Sequence, residues 1–296
     1  MILITGAGGF IGGNLYKFLK NKNIVIPFSK NNIEFKKKNL EKYLKYCKIL
    51  IHCVGSGVIN YKKENKKKHY NNNIKTIEIL ISAIKNAKNR NIHIIFLSSQ
   101  AVYGKNKKIP INENCPVKPS TIYGRTKYLS EVKLLKSNIK KITILRLFSI
   151  YGEGLKKQIF WDACNNIMLK NYVFSGTGEQ IRDFLHIDDL KRLISVICST
   201  DIKYKKKIFN VGTGTGLKIS RLVEIIKKRL IIKKSLKIKF IHRFSHFKKI
   251  VNNDNYIADI TLLRRYFNWR PKIDHHVGIS QYVDWYKKKN RYKLLI

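Results

Sequence analysis

Eight residues near the N-terminus, Thr5-Gly6-Ala7-Gly8-Gly9-Phe10-Ile11-Gly12, restrict the fold more than any other stretch of the chain. They follow the apolar run Ile2–Thr5 directly and lead into an amphipathic segment. The spacing predicts a strand over Ile2–Thr5, a glycine turn, and a helix over about residues 10–21. In that order Gly6 makes the tight turn, Gly9 lets the backbone approach a pyrophosphate, and Gly12 permits close packing of helix on strand. Phe10 and Ile11 open the helix, whose free N–H groups and positive dipole end favour phosphate oxygens. A glycine-rich loop alone says little, because any tight strand-to-helix turn uses glycine. The strand immediately before it is what points to a dinucleotide site.

The rest of the first half continues the pattern. Apolar runs at 24–28, 49–54, 92–98 and 142–148 read as strands, and amphipathic stretches at 76–87 and 123–136 read as helices. Continuous apolar strands alternating with helices predict a parallel sheet covered on both faces, an α/β Rossmann-type doubly wound fold. After residue 151 the regularity weakens. A helix is expected near 160–170, strands at 184–187 and 208–211, a helix at 220–230, and helical spacing from 261 onward. The expected organisation is a dinucleotide-binding domain over 1–151 with a return segment at about 181–215. Residues 152–180 and 216–296 would then form a smaller C-terminal substrate-binding lobe.

Composition narrows the class. No apolar run among the 296 residues reaches the roughly 18–20 needed for a membrane span, and no signal-peptide pattern is visible at the N-terminus. The five cysteines, Cys47, Cys53, Cys115, Cys164 and Cys198, have no C-x-x-C or metal spacing. They read as reduced thiols of a cytoplasmic protein, with no metal site. The formal charge of +43, from 61 Lys and Arg against 18 Asp and Glu, suggests a nucleic-acid or anionic-membrane binder. Its distribution argues otherwise. Lysine triplets at 36–38, 66–68, 205–207 and 287–289 are spread along the chain, and no zinc-finger, RNP or basic-zipper pattern accompanies them. No specific nucleic-acid partner and no membrane are expected. A non-catalytic RNA-binding protein on the same fold is the alternative.

Tyr123-Gly124-Arg125-Thr126-Lys127 places a phenol and an ammonium four residues apart, on one face of the expected helix. A phenol ionises near pH 10, too high for a base at neutral pH. A nearby Lys and a positive nicotinamide ring would both favour the phenolate. Ser99, at the end of a preceding strand, would offer its hydroxyl to a reacting sugar oxygen. His52 and His186 lie in apolar runs and read as packed, hydrogen-bonded histidines. Asp188-Asp189 reads as a helix N-cap, and Trp161, Trp269 and Trp285 read as packing residues.

With these motifs the chain resembles the extended short-chain dehydrogenase/reductase family, the NAD-dependent epimerase/dehydratase group that modifies nucleotide sugars. The marks are TGAGGFIG at 5–12, ILIHCVG at 49–55, Asn73 in YNNNIKT, FLSSQAVYG at 96–104, YGRTK at 123–127, LRLFSIYG at 145–152, RDFLHIDDL at 182–190 and FNVGTGTG at 209–216. The resemblance implies Tyr123 as general acid/base, Lys127 on the nicotinamide ribose, and Ser99 polarising the substrate hydroxyl. It implies Cys53, Val54, Gly55 and Asn73 beside the cofactor, and Arg182 on the diphosphate of a nucleotide-diphosphate sugar. Hydride would pass at a sugar carbon, commonly C4. A homodimer through a helix pair is common among relatives.

Departures from the family pattern refine these expectations. The end of the second strand, Ile26-Pro27-Phe28-Ser29-Lys30, lacks the acidic residue that binds adenosine ribose hydroxyls. Ser29 and Lys30 suit a 2′-phosphate, so NADP is favoured over NAD. Gln100-Ala101 stands where sugar dehydratases have Asp-Glu, which argues against dehydration. Ser149 occupies a substrate-holding position usually filled by Asn. Lys249-Ile250-Val251-Asn252 replaces an Arg-x-x-Asp pattern that grips the nucleotide. The expectation is an NAD(P)-dependent nucleotide-sugar 4-epimerase or 4-ketoreductase.

Overall fold

The computed structural model describes residues 1–29, 35–55, 66–89, 91–105, 108–230, 238–241 and 255–290. The first half alternates β1 (Ile2–Thr5), α1 (Phe10–Leu19), β2 (Val25–Phe28), α2 (Lys37–Leu44) and β3 (Ile49–His52). It continues with α3 (Lys66–His69), a π-helical turn (Tyr70–Lys75), α4 (Thr76–Asn86), β4 (His93–Ser99), α5 (Ile122–Lys136) and β5 (Lys141–Leu147). The second half runs β6 (Ser149–Tyr151), α6 (Gln158–Met168), β7 (Val173–Ser175), β8 (Ile181–Arg182), β9 (Phe184–His186) and α7 (Ile187–Ser199). It ends with β10 (Lys206–Val211), β11 (Leu217–Lys218), α8 (Ile219–Leu230), β12 (Lys239–Ile241), α9 (Thr261–Phe267) and α10 (His275–Lys289).

Six strands form one sheet in the order β10-β5-β4-β3-β1-β2, every neighbouring pair parallel. Successive side chains of a strand point to opposite faces, and here both faces are apolar. Ile2, Ile4, Ile51 and Ile95 pack with α1 and α7, while Leu3, Leu50, Ile94 and Phe96 pack with α2, α4 and α5. A further cluster outside the sheet joins α6, α8 and α10 through Phe160, Leu222, Val223, Tyr282 and Val283. Strands β6 and β9 pair parallel and carry the chain from the sheet toward it.

Most expected elements form, with ends that differ by a few residues. Strand β3 stops at His52 rather than Val54, and the chain at Cys53 and Val54 passes directly against Gly6 of the glycine turn. Helix α2 escapes sequence reading: only Leu40 and Leu44 are buried within its lysine-rich segment. The N-cap of α7 is His186, not Asp188-Asp189. Its Nδ1 accepts from the Asp188 amide at 3.3 Å. Asp189 turns inward to accept from the Lys272 and Ile273 amides at 3.1 Å each and pairs with Arg192. His52 is buried and bonded to Thr5 Oγ1 at 2.7 Å. The lysine triplets fall on α2, α3, β10 and α10, four separate elements. All five cysteines are free thiols. Among the described residues no helix is long and apolar enough to cross a membrane, and no group of three or more His, Cys, Asp or Glu is placed to hold a metal.

Candidate active site

Strand order reverses between β1 and β3, so their carboxyl ends open a crevice, the place where open α/β sheets bind ligands. Glycine is required there by contact. A methyl group at Gly12 would stand 2.3 Å from the Gly6 carbonyl oxygen, so α1 sits directly on the turn. Gly9 caps α1 without a side-chain hydrogen bond, which leaves the helix N-terminus to face the cleft. Gly9, Phe10, Ile11 and Gly12 all line that cleft, which measures about 460 Å³. This uncapped, electropositive turn fits a dinucleotide pyrophosphate.

Ser99, Tyr123 and Lys127 converge on the same cleft from two elements. Ser99 ends β4, and its Oγ accepts from the Ala101 amide at 3.2 Å. Tyr123 and Lys127 come from the first turns of α5, capped by Thr121, whose Oγ1 accepts from the Gly124 amide at 3.0 Å. The side chain of Lys127 is buried. Its Nζ donates to the Leu97 carbonyl at 2.9 Å and lies 4.8 Å from the Phe96 ring centre.

Burial pushes the Tyr123 phenol above its ordinary value, and a hydrogen bond with Ser99 acts to lower it. The Lys127 ammonium is turned toward Leu97. Burial also pushes Lys127 down to about 8, with Cys53 and Glu131 acting to raise it.

The opposite wall carries Arg182 and Ser149. Arg182 donates from Nη1 to the Ile181 carbonyl at 2.9 Å, and its guanidinium stacks 4.8 Å above the Tyr256 ring. Its neighbour Asp183 is buried and serves the backbone. Asp183 accepts from the Thr213 amide at 2.7 Å, Gly214 at 3.0 Å and Ala258 at 3.1 Å, as well as from the Thr213 hydroxyl. The carboxylate beside Arg182 is thus committed to the loop, and the guanidinium is directed into the cleft wall.

Not every expected residue reaches the cleft. Cys53 and Gly55 line it, whereas Asn73 is buried behind Gly55. Asn73 donates to Thr126 Oγ1 at 2.8 Å, and a methyl at Gly55 would meet its Oδ1 and Lys127 Nζ at 2.9 Å each. The Val54 backbone nitrogen lies where a methyl at Gly6 would come within 2.9 Å of it. Ser29 abuts Gly8 at the end of β2, 3.3 Å from where a methyl there would lie. Lys30 and Lys249–Asn252 lie outside the described residues. Sequence reasoning missed Lys105, Phe148, Lys157, Gln158 and Tyr256, which also line the cleft. Gln158 holds φ at +65°, a left-handed conformation rare for a non-glycine residue. It also missed Gly124, where a methyl would stand 2.3 Å from the Ala101 carbonyl oxygen. The glycine beside Tyr123 is what lets α5 lie against the turn that carries Ser99.

The chain is similar to known proteins in sequence and in fold. The model of the NAD dependent epimerase/dehydratase family matches residues 2–212. A putative UDP-glucose 4-epimerase of Methanocaldococcus jannaschii is 28% identical, the match covering 98% of this chain and 100% of that protein. Among solved structures, a UDP-glucuronic acid 4-epimerase from Bacillus cereus in complex with UDP-glucuronic acid and NAD superposes with a TM-score of 0.82. It is 21% identical, over 97% of this chain and 99% of that one. RMD from Pseudomonas aeruginosa, complexed with NADPH, superposes with a TM-score of 0.81 at 18% identity, over 97% and 99%. At these identities the two structures speak for the fold.

Proposed function

The chain belongs to the NAD dependent epimerase/dehydratase family, and on that footing we propose that it interconverts C4 epimers of a nucleotide-diphosphate sugar. The observation that carries this reading is the convergence of Ser99, Tyr123 and Lys127 on the cleft whose floor is the uncapped turn of α1. A bound nicotinamide dinucleotide would supply the hydride acceptor and a positive ring that favours the phenolate. Tyr123 would take the proton of the sugar C4 hydroxyl and return it after the keto sugar has turned its other face. Ser99 would hold that oxygen by a hydrogen bond, and Lys127 would keep positive charge beside the reacting groups. Arg182 would grip the diphosphate, with Ser149 holding the substrate beside it.

The relatives support the substrate class: the M. jannaschii protein is named for UDP-glucose and the B. cereus structure holds UDP-glucuronic acid. Among the described residues lining the cleft there is no Asp or Glu. That supports epimerisation over elimination of water, which needs an acid at the departing hydroxyl. A pure RNA binder has no chemical need for the three converging side chains.

For the cofactor, Ser29 next to the glycine turn and Lys30 after it favour NADP. A single-pass 4-ketoreductase using NADPH is the second reading, resting on the same absence of a carboxylate at the end of β2. Lys30→Glu should weaken NADP and strengthen NAD, since a carboxylate repels a 2′-phosphate and accepts from ribose hydroxyls. Equal affinity for both cofactors, unchanged in the variant, would remove the assignment.

The acid/base role is tested by Tyr123→Phe. It should keep the fold and the dinucleotide while turnover of UDP-glucose or UDP-glucuronate falls by about 10²-fold or more. Near wild-type turnover would end the proposed mechanism.

A further inference from the structure

Tyr123, Lys127 and Glu131 recur every four residues along α5 and so share one face of it. The third is almost fully buried, at 1% exposure, and does not line the cleft. Glu131 Oε1 accepts from the Ser98 hydroxyl at 2.5 Å. Both carboxylate oxygens receive the Arg146 guanidinium, with Nε at 3.1 and 3.3 Å and Nη2 at 2.7 Å. Arg146 is 3% exposed, stands opposite Ser98 in the β4–β5 register and stacks 4.8 Å from the Tyr103 ring. One carboxylate therefore ties the helix to both central strands, one residue before Ser99. Lys127 ties the same helix to the strand one residue earlier, at Leu97.

Burying two charges this completely costs desolvation that their attraction barely offsets. Well-packed apolar residues would hold the same elements at least as firmly. Stability alone therefore does not account for the pair.

We propose that Glu131 is a positioning residue for the reaction: it holds Ser99 in reach of Tyr123 and fixes the stretch of α5 that carries Tyr123 and Lys127. The proposal rests on the roles given above to Ser99, Tyr123 and Lys127. Among the titratable groups around Lys127, Cys53 and Glu131 act to raise it. From β3 and the loop after it come His52, which burial holds neutral down to about 3, and Cys53, whose thiol burial pushes up to about 12. From α5 come the Tyr123 phenol, also raised by burial, and Glu131, whose charge acts to raise Lys127. Arg146 pairs with that same carboxylate at 2.7 Å. Neutralising Glu131 should therefore lower Lys127 further and bring its deprotonation to lower pH.

Glu131→Gln alone would leave the Arg146 charge buried without its partner, which is strongly destabilising. The decisive protein is the double variant Glu131→Gln/Arg146→Met, with Ser98→Ala and Tyr123→Phe beside it. The double variant should melt within a few degrees of wild type, retain its dinucleotide and keep its KM for the nucleotide sugar. Its kcat should fall by about 10-fold to 100-fold, the scale of a misplaced reacting group. The alkaline limb of its pH profile should move to lower pH. Ser98→Ala, which keeps the ion pair, should lower kcat and leave that limb in place. Wild-type kcat and pH profile in the double variant, in a series where Tyr123→Phe abolishes turnover, would overturn the proposal. Turnover surviving Tyr123→Phe would instead overturn the site assignment beneath it. If the double variant does not fold, Ser98→Ala carries the test, and an unchanged kcat there counts against Glu131.

Discussion

Gly124→Ala is the smallest change that separates the geometry of the site from the stability of the fold. The added methyl would lie 2.3 Å from the Ala101 carbonyl oxygen and 3.0 Å from its carbon, both rigid backbone atoms. Ordinary contact begins near 3.4 Å, so the start of α5 must retreat by about 1 Å from the turn that follows Ser99. Two effects oppose each other in stability. Overpacking costs about 1–3 kcal/mol, while alanine is favoured over glycine inside a helix by roughly 1 kcal/mol. The net is a loss of about 0–2 kcal/mol, a small shift of melting temperature for a chain of this size. Catalysis has no such compensation, because the retreat separates Tyr123 from Ser99. A 1 Å misplacement of reacting groups costs about 10²-fold. The assay is kcat on a UDP-sugar beside a thermal melt of the same preparation. The expected result is activity lost far out of proportion to stability. A variant with wild-type kcat would refute the claim that this close approach sets the catalytic distance.

Arg182→Ala should raise KM for the nucleotide sugar strongly and leave dinucleotide affinity unchanged, and Arg182→Lys should recover only part of the loss, because an ammonium cannot copy the bidentate grip. A large drop in melting temperature with unchanged KM would instead make Arg182 a loop-holding residue. Asp183→Ala should do the reverse, losing stability through four orphaned donors; an unchanged melting temperature would refute that role. Burial lowers His52 to about 3, so below pH 6.5 the unfolded chain takes up a proton that the folded chain refuses. Melting temperature should then fall as pH drops from about 6.5 toward 3, and His52→Asn, which still meets Thr5 without titrating, should flatten the slope. Identical slopes in the two proteins would count against it.

The parts of this molecule that were legible in the sequence are those dictated by local chemistry. The glycine turn, the apolar strands and the Tyr123–Lys127 spacing each depend on a few adjacent residues, and they fall where that spacing requires. The parts that were not legible depend on contacts distant in sequence. Tyr256 reaches the cleft from beyond residue 250 through backbone hydrogen bonds to Ile181 and Asp183, with Arg182 stacked on its ring, and nothing in its surroundings in the chain marks it. Gly124 reads as an ordinary helical glycine until Ala101 is placed against it. Asp188 and Asp189 have the composition of an N-cap, yet Asp189 is drawn inward by amides more than eighty residues away, and His186 takes the cap. The Leu97 carbonyl that receives the Lys127 ammonium lies thirty residues earlier and could not be foreseen from the Tyr123–Lys127 spacing.

The central claim is that hydride leaves C4 of a nucleotide sugar and returns to the same carbon on one enzyme molecule. The direct measurement uses UDP-glucose and UDP-glucuronate carrying deuterium at C4, incubated with the purified protein and a catalytic amount of oxidised NAD or NADP, with the epimeric product analysed by mass spectrometry. The account predicts that the deuterium is retained at C4 of the product, with none lost to solvent water and no dependence on added reductant. Deuterium lost to water, or product formed only when NADPH is supplied, would contradict it.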